Sequence, residues 1–185
     1  MQPLESELVD LNDLVRTTEQ ELSALAGDRI AVASALEPRV SPITADPREL
    51  KQALLNLVLN ARDAMPDGGK ITIETANVVL DETYAADHRL MLQGHYALLA
   101  VTDTGTGMDA EARAHLFEPY FTTRDRSSRS GFDLATVYGV VKRSGGFVWV
   151  YSEPGLGTSV KIYLPLPRAP GPAPDPPRRG RRRGA

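Results

Sequence analysis

The sequence predicts an α+β fold, a two-layer α/β sandwich with helices on one face of a mixed, mostly antiparallel sheet. Three observations predict it. Apolar residues recur at helical spacing along residues 47–65, at Leu50, Leu54, Leu57, Val58, Ala61, Ala64 and Met65. About five other segments alternate or run apolar in the manner of strands. Helices and strands do not alternate strictly, which argues against a parallel βαβ array. A chain of 185 residues is long enough to bury a sizeable core.

Asn12 is read as the cap of a first helix over 13–25, which stops near Gly27. Residues 29–33 alternate as a strand, and 40–45 lead in extended form to the long helix. There Asp46 is the N-cap, Pro47 suits the first helical position and Glu49 completes a capping box. Pro66-Asp67-Gly68-Gly69 ends that helix. Residues 70–76 form a strand, 77–94 a polar hairpin excursion, and 96–103 a nearly continuous apolar strand that belongs in the middle of the sheet. A short helix covers 109–116, a loop 117–131 and a helix 132–144, stopped by Gly145-Gly146. Strands at 146–152 and 158–164 close the chain as a hairpin through 153–157.

Composition narrows the classes. There is no cysteine, which excludes disulfides, cysteine-zinc sites and thiol chemistry. No apolar run approaches the roughly 20 residues of a spanning helix, and the acidic N-terminus carries no signal-peptide pattern, so a cytoplasmic protein is expected. The net charge of −3 is uneven: residues 167–185 hold six of the 21 basic residues, one of the 24 acidic ones and six of the 14 prolines. Such a tail cannot bury apolar surface and is expected to be disordered. A solvated terminus is preferred for it over a nucleic-acid or acidic-lipid contact through Arg178 to Arg183.

Two stretches invite chemistry. Asn56 and Asn60 are four apart and share one face of an apolar helix, where Asn is a mediocre former. Alone, the pair fits solvated polar residues as well as it fits a site. A carboxamide oxygen is also a hard neutral ligand for Mg²⁺, and its NH₂ donates to phosphate. Asp103-Thr104-Gly105-Thr106-Gly107 follows the central strand. Its glycines permit close backbone approach, and a carboxylate at the strand end needs a donor such as an exocyclic amine. It is neither a P-loop nor GxGxxG. The polar loop 119–131 opens into a helix N-terminus, a place that attracts phosphate.

Five segments fall in register: 56–65, 103–107, 116–123, 131–139 and 151–158. In this order they resemble the ATP-binding catalytic domain of sensor histidine kinases, with wording closest to hybrid kinases, in the GHKL or Bergerat-fold ATPase superfamily. They correspond to its N box, first glycine box, F box, second glycine box and closing hairpin, over about residues 10–165. The resemblance implies ATP and Mg²⁺ as cofactors. Asn60 would ligate the metal, Asn56 would contact phosphate, and Asp103 would accept from the adenine amine. Gly105 and Gly107 would let the chain pass close to the base, and Thr158 would help hold it. Asp63, Tyr120, Phe121, Gly131 and Leu134 would complete the nucleotide site, with 121–131 as a lid. The domains implied are a helical lead-in over 1–27, a catalytic domain over 28–166 and the tail.

Related hydrolytic and serine-directed enzymes of that superfamily carry a glutamate base four residues before the metal asparagine. Here that position is Asn56, which takes no proton at neutral pH, while imidazole needs no base. The resemblance therefore implies transfer of the γ-phosphoryl group to a histidine. His88, His95 and His115 are the only histidines, and none sits in an acceptor context. The phosphoacceptor would then belong to a separate dimerisation domain, with a response-regulator receiver downstream. The chain is expected to be a monomer and a fragment, a truncated product or a partner acting on another chain, with no catalytic residue of its own beyond the site. Arg129 and Asp133 replace two glycines of the second glycine box. At an effective dielectric of about 20, like unit charges 4 Å apart repel by roughly 4 kcal/mol. The alternative implied is a pseudokinase with weakened ATP binding that serves as an interaction module.

Overall fold

The computed structural model describes residues 5–83, 92–115 and 134–167. Strands β2 (Ile30–Leu36), β4 (Gly69–Leu80), β5 (Gly94–Asp103), β6 (Phe147–Glu153) and β7 (Gly157–Pro165) form one sheet in the order β2-β4-β5-β7-β6. β2 and β4 run parallel and every other neighbour pair runs antiparallel. Helices α1 (Leu11–Ala26), α2 (Pro47–Asp63) and α4 (Leu134–Arg143) cover one face, with α2 packed between the other two. A short helix α3 (Ala110–Ala114) follows the central strand. This is the mostly antiparallel two-layer sandwich that the pattern predicts.

Alternation explains which residues meet. Ile71 and Ile73 of β4, Ala97, Leu99 and Val101 of β5, and Val160, Ile162 and Leu164 of β7 face the helices. They meet Leu50, Leu54, Leu57 and Val58 of α2, and Leu11, Val15 and Leu22 of α1. Leu98, Tyr96, Tyr163 and Phe147 form a second apolar cluster on the other face. β5 is thus apolar on both sides, which accounts for its unbroken hydrophobic run.

Several boundaries move. The cap of α1 is Asp10, whose carboxylate accepts from the backbone of Asn12 and Asp13. Asn12 lies inside the helix and is buried: its amide donates to the Glu37 carbonyl and accepts from the Thr75 hydroxyl. A tertiary bond has outcompeted a local cap. Asp46 and Pro47 do start α2, but the Glu49 carboxylate is held by the Arg143 guanidinium at 2.9 Å instead of closing a capping box. β2 and β4 run longer than their alternation predicts, to Leu36 and Leu80, so the excursion before β5 shrinks. Residues 43–45 form strand β3 (Ile43–Ala45), which pairs antiparallel with β1 (Glu7–Val9), a strand the pattern does not reveal.

Leu54 is fully buried where α2 meets the sheet. Leu54→Ala should lower unfolding free energy by about 2–5 kcal/mol, read from denaturant titration, because the packed seam cannot collapse into the hole.

Candidate functional site

Asn56, Asn60 and Asp63 follow one another along one stripe of α2, at spacings of four and three. Asn56 is buried, only 3% exposed, and its Oδ1 accepts from Gln52 Nε2 at 2.9 Å. Asn60 is half-buried, and its Nδ2 is a buried donor with no partner among the described residues. Native structures seldom leave such a donor unpaired, so this amide has a hydrogen bond still to give. The Asp63 Oδ1 accepts from Arg62, and Asp63 lines an open cleft of about 440 Å³ with Arg29, Arg62 and Met65.

The central strand ends on Asp103, which is 7% exposed. Its Oδ1 accepts from the backbone N–H of Gly105 at 2.8 Å and of Thr158 at 3.2 Å. Oδ2 has no partner among the described residues. Burial pushes the Asp103 carboxyl above the usual carboxylate range, and the two backbone donors pull it back only in part.

The turn after Asp103 lies against the end of α2. Thr106 N–H donates to the Ala64 carbonyl at 3.0 Å, and a Cβ on Gly105 would stand 2.6 Å from that same oxygen. Gly107 has φ +67°, and a Cβ there would strike the Glu153 carbonyl. Both glycines are therefore required by close approach, as their spacing predicts. The fold thus brings the asparagine stripe and the glycine turn together at the C-terminal half of α2.

Thr158 stands beside Asp103: its backbone N–H donates to the Asp103 Oδ1, and its hydroxyl shares a hydrogen bond with Ser152 Oγ at 2.8 Å. Leu134, the first residue of α4, packs against the core. Tyr120, Phe121 and Gly131, with Arg129 and Asp133, lie outside the described residues. Three contributors escaped the sequence reading. Gln52 looks like any surface polar residue. Ser152 Oγ accepts from Met108 N–H at 2.8 Å and so ties the turn to β6. Gly157, at φ +97°, would strike the Asp103 carbonyl if it carried a Cβ.

Two expectations test this geometry. In Asp103→Asn the retained Oδ1 still serves Gly105 and Thr158, while the buried charge is gone. A raised pKa means that ionisation opposes folding above it and has no effect below the ordinary value near 3.8. The variant should therefore melt higher than the parent at neutral pH, and the gap should narrow as pH falls. Gly107→Ala should lower stability by about 3 kcal/mol or more, because left-handed strain adds to a backbone clash.

Residues 45–168 match the family described as histidine kinase-, DNA gyrase B-, and HSP90-like ATPase. The sensor kinase CckA of Brucella abortus is 38% identical over 89% of this chain and 17% of its own length. The sensor histidine kinase ZraS of Klebsiella oxytoca is 35% identical over 88% of this chain and 32% of its own. The chain spans a third or less of these relatives. The crystal structure of full-length ShkA in complex with AMPPNP covers 89% of this chain and 32% of that one, at 27% identity and a TM-score of 0.69. The mycobacterial sensor histidine kinase MprB shares the fold over 86% of this chain and 97% of its own, with a TM-score of 0.65 at 24% identity. With its asparagine stripe, its strand-end aspartate and its glycine turn in this register, the chain belongs to the histidine kinase-, DNA gyrase B- and HSP90-like ATPases, among the ATP-binding catalytic domains of sensor histidine kinases.

Proposed function

We propose that the chain binds Mg-ATP and donates its γ-phosphoryl group to a histidine on a separate dimerisation domain, from which a response-regulator receiver takes it. The carrying observation is the α2 stripe: an unsatisfied amide at Asn60 and, four residues before it, a buried asparagine at 56 where a base would need a carboxylate. That relatives bear the names of sensor kinases, and that ShkA was crystallised with AMPPNP, supports the reading.

Asp103 Oδ2 would accept from the adenine amine, and the base would lie along the backbone cleared by Gly105 and Gly107. The described residues hold no cluster of three or more His, Asp or Glu side chains that could cage a metal. That suits Mg²⁺, which commonly takes one or two protein ligands and completes its shell with phosphates and water. Asn60 would hold it through Oδ1, and it would supply charge neutralisation across the phosphates. Asn56 donates toward phosphate and removes no proton, so the attacking group must be nucleophilic unaided, as imidazole is.

Calorimetry with ATP, with and without Mg²⁺, tests this. Binding should require Mg²⁺ for full affinity, and Asn60→Ala should lose that requirement. Asp103→Asn should weaken ATP by roughly tenfold or more, because an NH₂ then faces the adenine donor. Added phosphoacceptor domain should become labelled on histidine from γ-labelled ATP. No binding at millimolar nucleotide would overturn the proposal.

A further inference from the structure

Gln52 lies one helical turn before Asn56 on α2 and is exposed, with no role in the core. Its Nε2 nevertheless donates to Asn56 Oδ1 at 2.9 Å. Side chains on a helix lean toward its N-terminus, so Asn56 reaches back over the turn that Gln52 occupies. The neighbouring surface cation, Lys51, is already paired with Glu21 at 2.7 Å across to α1. Gln52 takes no part in that tie, so its visible work is on Asn56.

A carboxamide has one accepting and one donating end. With Oδ1 committed to Gln52, Asn56 turns its NH₂ outward, and nothing among the described residues accepts from it. Exchanging the ends of both amides would keep a bond between them but aim the Asn56 carbonyl at anionic phosphates, so the arrangement in which Gln52 donates is the one a phosphate ligand favours. The next residue on the stripe, Asn60, has its own Nδ2 buried without a partner. Two neighbouring amides could thus present two carbonyls to a cation, or one carbonyl and one donor.

We infer that Gln52 is a positioning residue that sorts this pair: by donating to Asn56 Oδ1 it keeps the Asn56 NH₂ toward the nucleotide phosphates and leaves metal ligation to Asn60 alone. The inference rests on the ATP-binding reading above. It assigns Gln52 no contact with nucleotide. It predicts that the residue acts on phosphate-bearing ligands and not on the base.

The test compares the parent chain with Gln52→Ala and Gln52→Glu. The probes are Mg-ADP, followed by calorimetry, and adenosine, followed by NMR titration; melting temperature is read alongside. In Gln52→Ala, Asn56 is free to turn, and Mg-ADP affinity should fall roughly two- to tenfold, the cost of ordering one side chain. Adenosine affinity should not move, while the melting temperature should fall by a few degrees, because the buried Asn56 oxygen loses its donor. In Gln52→Glu the carboxylate can only accept, so Asn56 must donate to it and turn its carbonyl to the phosphates. Mg-ADP affinity should then fall below that of Gln52→Ala and stay lower at about 1 M salt, where plain charge repulsion is screened. Unchanged Mg-ADP affinity in both variants would overturn the inference. So would a parallel loss of adenosine affinity, which marks a merely structural role. A parent chain that binds neither probe would overturn the nucleotide reading, and this inference with it.

Discussion

A single carboxylate, buried at the end of the central strand, constrains everything around it. Asp103 can sit there only because two backbone N–H groups reach its Oδ1, one from the turn that follows and one from β7. To deliver the first, the chain must double back at once, which brings Gly105 onto the last carbonyls of α2. To deliver the second, β7 must begin opposite the strand end, and only a glycine at 157 clears the Asp103 carbonyl. The turn is then fastened from two further sides: Thr106 N–H to Ala64, and Gly155 N–H to the Thr106 carbonyl. Each of these partners comes from a different part of the chain. The carboxylate oxygen left over is consequently held by the whole sheet rather than by a loop.

The helical layer is organised by packing more than by charge. Arg143 and Glu49 form a two-pronged pair between α4 and α2, yet Arg143 is exposed and Glu49 half-exposed, at 47% and 29%. Such a pair contributes at most about 1 kcal/mol. Leu50, Leu54 and Val58 of α2 are fully buried together with Val137 and Val141 of α4. Each such side chain contributes about 1.5–3 kcal/mol of burial, so the apolar seam decides where α4 lies. The amide stripe runs along the edge of that same helix, so its position follows from the leucines beneath it.

Elements with a strong period of their own were legible in the sequence: α2, β5 and the β6–β7 hairpin lie where the apolar spacing predicts. What escaped was set by distant partners. β1 is three residues long, too short for any period, and exists because Glu7 to Val9 find Ile43 to Ala45. Asn12 and Asp10 are both good caps two residues apart, and the choice was made by Thr75 and the Glu37 carbonyl across the core. In the site, Asp103, Gly105 and Gly107 were readable because their chemistry is local. Gly157 and Ser152 were not, because what they clear or fasten lies 54 and 44 residues earlier in the chain.

Position 56 shows how little of the frame needs to change for the chemistry to change. A side chain buried to 3% exposure there must find a partner, and Gln52 supplies a donor from the turn before. That donor would satisfy a carboxylate oxygen as readily as an amide oxygen. The helix, its apolar seam and the glycine turn would hold either residue in the same place. A carboxylate would present a second oxygen able to take a proton, whereas the amide presents an NH₂ that can only give a hydrogen bond. On the proposed function, the exchange of one oxygen for one nitrogen removes the base, leaves a phosphate donor in its place, and limits the domain to acceptors that are nucleophilic by themselves.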